Sequence, residues 1–188
     1  MDDIPEMKGA KVLARAEWKA TGEAPKPDVS FLPMLERRRL TGLERAAMHV
    51  AWKIFNGEGR AGRAPLPSEV PVMFASRWGE IGTTFKLMRQ MHDEGEMSPA
   101  GFSASVHNAA PGAWSLFTKN RKPYTAIAAR ARSREMGLLE AKAQLAAGAP
   151  HVLYVYAEET TPEYYLSEFG EPETAHAEAV LFVKDGDA

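Results

Sequence analysis

The chain has 188 residues, enough to bury one sizeable core, and its 45% apolar and 26% charged composition is ordinary for a globular protein. A formal net charge of −2 excludes any global attraction to nucleic acid or to an anionic membrane. There is no cysteine, which removes disulfides, thiolate metal sites and cysteine catalysis together.

No apolar run approaches the roughly 18 residues of a membrane span. The opening "MDDIPEMKGAK" lacks the apolar stretch of a signal peptide, so a cytoplasmic location is expected. The alternation in "AKVLARAEW" places Val12, Ala14 and Ala16 on one side of a first strand, and "TGEAPKPD" breaks it. In "LTGLERAAMHVAWKIF" the residues Leu43, Ala46, Ala47, Val50 and Ile54 recur at helical spacing. Thr41 and Glu44 before them have the form of a capping box. A Gly-, Pro- and Arg-rich loop, "GEGRAGRAPLPSE", leads to "VPVMFAS" at 70–76, a continuous apolar run typical of a strand buried on both faces.

"TTFKLMRQMHDEGE" predicts a second amphipathic helix with Phe85, Met88 and Met91 on its apolar side. "SPAGFSASVHNAAPGAWSLFT" reads as a loop that becomes a helix over 108–118, where Pro111 is tolerated in the first turn. A strand over Tyr124–Ala129 turns a tight corner into a helix over 133–147. "HVLYVYA" at 151–157 and "AEAVLFVK" at 177–184 are the last strands, joined by a polar loop without a helix. The order β-α-β-α-α-β-α-β-β predicts one α/β domain over 1–188, with parallel neighbours, helices on both faces and an antiparallel final strand.

The strand-to-helix corner is where many α/β enzymes present a nucleophile. Here it reads Ala129-Arg130-Ala131-Arg132, with no usable nucleophile. The five histidines, at 49, 92, 107, 151 and 176, include no pair at metal-ligand spacing, so neither a metal nor a cofactor is expected. His49 and His151 read as packed or surface residues. Ser103 and Ser105 precede His107 at strand-like spacing, which would suit a Ser–His pair; the plainer reading is that Ser105 or Asn108 caps the next helix. Glu158 and Glu159 follow a strand end and suit a general base or a metal ligand, but read more simply as a solvated turn. The run Arg130, Arg132, Arg134 at a helix start suits an anion, but without phosphate-loop glycines it reads more simply as a solvated or partner-facing edge.

Three blocks taken together add a resemblance: "SPAGFSASVHNAAPGAW" (98–114), "KPYTAIAA" (122–129) and "EMGLLEAKAQLAAGAPHVLYVYAEE" (135–159). They resemble, in order, the N-terminal half of a β-ketoacyl synthase of the thiolase-like fold. The closer likeness is to the short chain-length-factor-like proteins of aryl polyene and related gene clusters, whose first helix "LPMLERRRLTGLERAAMHVA" also resembles. The resemblance implies half of a thiolase-like fold, a five-stranded mixed sheet ordered 3-2-1-4-5 with its last strand antiparallel. It sets Arg130 at the place of the family's catalytic cysteine. The family's two catalytic histidines lie in a C-terminal half outside this sequence, so no condensing activity is implied for this chain alone.

The resemblance further implies a pairing edge, Tyr124, Thr125, Ala126, Ile127, Ala128 and Ala129, with Ser105, His107, Asn108 and Trp114 beside it. The reading is a non-catalytic subunit that pairs with an active β-ketoacyl synthase in fatty-acid or polyketide assembly. The partner would be that synthase subunit, with acyl carrier protein as a further contact. Two other readings stay open: a homodimer that binds acyl chains or carrier protein without chemistry, and a serine-dependent acyltransferase or hydrolase using Ser103 or Ser105 with His107.

Overall fold

Five strands form one mixed sheet in the computed structural model, which describes residues 9–56, 65–166 and 174–186. The strands are β1 (Ala10–Lys19), β2 (Val72–Ala75), β3 (Tyr124–Ile127), β4 (His151–Glu158) and β5 (His176–Lys184). The helices are α1 (Met34–Arg39), α2 (Gly42–Asn56), α3 (Ile81–Glu94), α4 (Pro99–Ser105), α5 (Ala109–Thr118) and α6 (Ser133–Ala146). The expected N-terminal segment and the two polar loops fall partly outside the described residues. Among those residues, no helix is long and apolar enough to cross a membrane.

The sheet order is β1-β5-β4-β2-β3. Strands β4, β2 and β3 run parallel, and β5 runs antiparallel to both β4 and β1. The antiparallel last strand is as expected. The order 3-2-1-4-5 is corrected to 3-2-4-5-1, because the first strand lies at an edge and not in the middle. Central parallel strands are covered on both faces and need near-continuous apolar sequence. β2, β4 and β5 satisfy that requirement. β1 carries Lys11, Arg15, Glu17 and Lys19 and is mostly exposed or half-buried, which only an edge tolerates.

Alternation along the central strands sends successive side chains to opposite faces. Val72, Phe74, Leu153, Val155 and Leu181 meet Leu43, Val50, Ile54 and Trp114 of α2 and α5. Met73, Ala75, Val152, Tyr154, Val180 and Phe182 meet Leu138, Ala141 and Leu145 of α6.

α2 begins with the expected capping box: Glu44 N donates to Thr41 Oγ1 at 3.1 Å and Thr41 N donates to Glu44 Oε2 at 2.7 Å. Three helices, not two, link β2 to β3. The segment expected as a loop forms α4, with Ser98 capping it through Gly101 N and Pro99 in its first turn. α3 packs on α4 and not on the sheet, so Met88 and Met91, expected on a buried face, are 59% and 49% exposed. Ile81 and Leu87 are the buried side chains of that helix.

α6 lies close on β2 and β4 at Gly137. A Cβ there would sit 2.7 Å from Ala75 Cβ and 2.8 Å from a Tyr154 ring carbon. Gly137→Ala is therefore expected to cost about 1–3 kcal/mol by overpacking, despite alanine's better helix propensity. Urea denaturation checks this; unchanged or raised stability would contradict the close contact.

Candidate functional site

Parallel pairing brings the C-terminal ends of β2, β3 and β4 to one end of the sheet, where open α/β folds place their ligands. β3 ends there in the corner, a 3₁₀ turn over Arg130–Arg132 that runs directly into α6. Arg130 has φ of 54°, a left-handed conformation that costs a branched or long side chain about 1–2 kcal/mol. The buried Ser133 hydroxyl clamps the turn: it accepts from Ala129 N and donates to Arg130 O, both at 2.8 Å. Arg130 is exposed at the position where the resemblance set a nucleophile.

The other two arginines of the corner are held by the chain's own acids, so the anion-site alternative does not hold for them. Arg132 pairs with Glu135 at 3.0 Å on the surface. Arg134 reaches the fully buried Glu178 of β5 with Nε at 2.6 Å and Nη2 at 3.1 Å, and Arg15 approaches the same carboxylate at 3.6 Å.

No Ser–His pair forms. Ser103 Oγ donates to Pro99 O and Ser105 Oγ to Phe102 O, as hydroxyls on a helix commonly do. Ser105 therefore does not cap α5, and Asn108 occupies its N-cap position without a side-chain hydrogen bond. His107 Nε2 lies 3.0 Å from Ile127 O. A carbonyl only accepts, so Nε2 carries the proton and tethers the α4–α5 turn to the end of β3. The other ring nitrogen faces Gly79, whose φ of 59° and lack of a side chain admit the ring. Trp114, expected beside the pairing edge, is 3% exposed and packs against Phe55 in the core. Its spacing with Ala110 and Phe117 is a helical apolar stripe that marks it as a core residue.

The two edges of the sheet differ. β1 is guarded by charges and by a register irregularity between Val12 and Ala14, two devices that discourage a further strand. β3 carries neither: its sequence is Tyr-Thr-Ala-Ile. Val72 N bonds Pro123 O and Ser76 N bonds Ile127 O, so the parallel ladder uses odd-numbered residues of β3. The backbone N–H and C=O of Tyr124 and Ala126 face away from the sheet.

Buried acids near the same end were not legible as such. Glu158, read as part of a solvated turn, is fully buried and accepts from Ser76 Oγ at 3.1 Å, Arg77 N, and Trp78 N at 3.4 Å. Glu159 accepts from Gly82 N at 2.9 Å at the start of α3. Glu80, 2% exposed, accepts from Thr41 Oγ1 at 2.7 Å and joins the start of α3 to that of α2. The apolar run into Glu158 was the available signal, since a strand buried to its last residue leaves its end inside.

Burial raises the pKa of Glu44 and Glu159, and raises that of Glu80 to about 8, with the carboxylates of Glu159 and Glu44 adding to the effect on Glu80. The folded state thus favours neutral Glu80. Its stabilising contribution is complete below the unfolded value of 4.5 and is lost as pH rises toward about 8. Glu80→Gln is expected to gain stability relative to wild type across that window, by up to about 1.4 kcal/mol per pH unit, and to level off above it. Denaturation at a series of pH values checks this, and a flat difference would show that Glu80 titrates normally.

The comparisons agree with this architecture. The family model "Beta-ketoacyl synthase, N-terminal domain" matches residues 12–188. A chain of the ketosynthase (ApeO) complex with its chain length factor (ApeC) from Xenorhabdus doucetiae superposes with a TM-score of 0.76 at 22% identity, over 94% of this chain and 79% of that one. The ishigamide ketosynthase/chain length factor gives 0.77 at 15% identity, over 96% and 63%. A β-ketoacyl synthase from Burkholderia phymatum STM815 gives 0.71 at 13% identity, over 95% and 59%, so this chain spans less than two thirds of the latter two. No curated protein matches in sequence. The shared five-stranded sheet with helices on both faces is the thiolase-like half of those structures. With a family model matching nearly all of its length, the chain belongs to the β-ketoacyl synthase N-terminal domain family.

Proposed function

We propose that this chain is a non-catalytic, chain-length-factor-like subunit that pairs through β3 with an active β-ketoacyl synthase. The observation that carries the reading is the corner itself. An exposed arginine stands at its tip, the sequence holds no cysteine, and the strand leading into it is an open edge without charges. An edge strand with outward N–H and C=O groups is a template for strand addition. The small side chains of Ala126 and Ala128 let a second backbone approach. The synthase partner supplies the nucleophile, and this chain stabilises it and shapes the space for the growing acyl chain. The setting is the cytoplasm, in fatty-acid or polyketide assembly of the aryl polyene type, with acyl carrier protein delivering substrate to the pair.

The reading is supported by the fold shared with chains of ketosynthase–chain length factor complexes. Its test is co-expression with a cysteine-bearing β-ketoacyl synthase from the same genome, followed by size-exclusion chromatography and an elongation assay. Co-elution and altered product length are expected; separate elution with unchanged products would remove the proposal. Ala126→Pro deletes one outward N–H and leaves the ladder to β2 intact, a position where an edge strand tolerates proline. It is expected to weaken the complex at least about tenfold while the circular dichroism of the isolated chain is unchanged.

A further inference from the structure

The segment around β3 has a one-sided charge. From Lys119 to Arg134 there are six basic residues and no acid. Arg132 and Arg134 are paired with Glu135 and Glu178. Lys119, Arg121, Lys122 and Arg130 are exposed and have no ion pair among the described residues. Glu69 sits in the turn that Asn120 ties down through Pro67 O and Val70 O, yet pairs with none of them. The uncharged strand is thus bracketed by free cations at both ends.

Two copies of an edge strand add antiparallel about a two-fold axis. Lys122 and Arg130 each lie four residues from Ala126, so a ladder centred on Ala126 sets Lys122 of one copy opposite Arg130 of the other. A ladder centred on Thr125 sets Asn120 opposite Arg130, with Lys119 and Arg121 on either side. Both of these registers bring the cations that precede β3 in one copy beside Arg130 of the other, at both ends of the ladder. Arg130 lies in the turn beyond Ile127, so the repulsion acts between exposed like charges at the ends of the ladder, and the two-fold axis counts it twice.

We infer that the basic brackets of β3 bar self-pairing and select a different protein chain, one whose own edge strand is flanked by carboxylates at both ends. This rests on the reading of β3 as the pairing edge and adds the chemistry of the partner. The uncharged stretch with free backbone groups between the brackets fits a strand and not the continuous charge of a nucleic acid.

The first test needs no partner. Sedimentation equilibrium of the full chain at about 50 mM salt is expected to show a monomer for wild type. Arg121→Glu with Lys122→Glu turns both ends of the self-ladder attractive, so this variant is expected to dimerise at least about tenfold more tightly. Adding Arg130→Glu makes the ends repulsive again and restores the monomer. Equal association of wild type and the double variant, whether tight or absent, would overturn the inference.

The second test measures the complex with the cysteine-bearing synthase. The double variant is expected to weaken it about tenfold at 50 mM salt and little at about 500 mM, while Ala126→Pro weakens it at both. If only the proline variant weakens it, the pairing edge stands and the charge selection fails. If neither does, the pairing edge itself is refuted.

Discussion

The corner owes its shape to how closely α6 lies on the sheet. Gly137 brings the helix backbone against Ala75 and Tyr154, where any side chain would collide. A helix held that near leaves few residues to climb from the end of β3 to its first turn. The chain makes the climb in one 3₁₀ turn with Arg130 in a left-handed conformation. Ser133 and Arg134 then fix the two sides of that turn, one by hydrogen bonds to the corner backbone and the other by the buried carboxylate of Glu178. The geometry of an elbow is thus kept by packing and polar contacts that involve no reactive group.

Much of this was legible in the sequence where the cause is local. The Thr41–Glu44 box and the β3–corner–α6 succession depend on residues a few positions apart. The strand order was not legible, because nothing near β1 records that its partner is β5. Its charged residues did point to an edge, and that signal outweighs the order implied by resemblance. The Ser103–His107 pair failed for a local reason that was available: Ser98-Pro99 is a helix start, which places the two serines on a helix and not a strand. The acids at the ends of β2 and β4 were illegible because their environment is assembled from three separate segments.

Those acids also show where polar groups are tolerated inside this fold. Glu158 is held by backbone N–H groups and a serine, and Glu178 by two arginines. A buried carboxylate is tolerated where its partners offset the cost of desolvation, whereas removing one partner leaves an uncompensated charge. Glu80 follows the other route and is neutralised by its surroundings. The same end of the sheet therefore contains both solutions to burying an acid.

The pairing of β1 with β5 has a consequence for how the molecule is made. Ala10 opposes Lys184, so the earliest strand finds its hydrogen-bonding neighbour in the latest one. Contacts so far apart along the chain carry the full entropy of loop closure and form late. During synthesis at the ribosome, β2, β3 and β4 emerge and can assemble while β1 waits unpaired. Its lysines, arginine and glutamate keep that waiting strand from joining a neighbour on the same polysome.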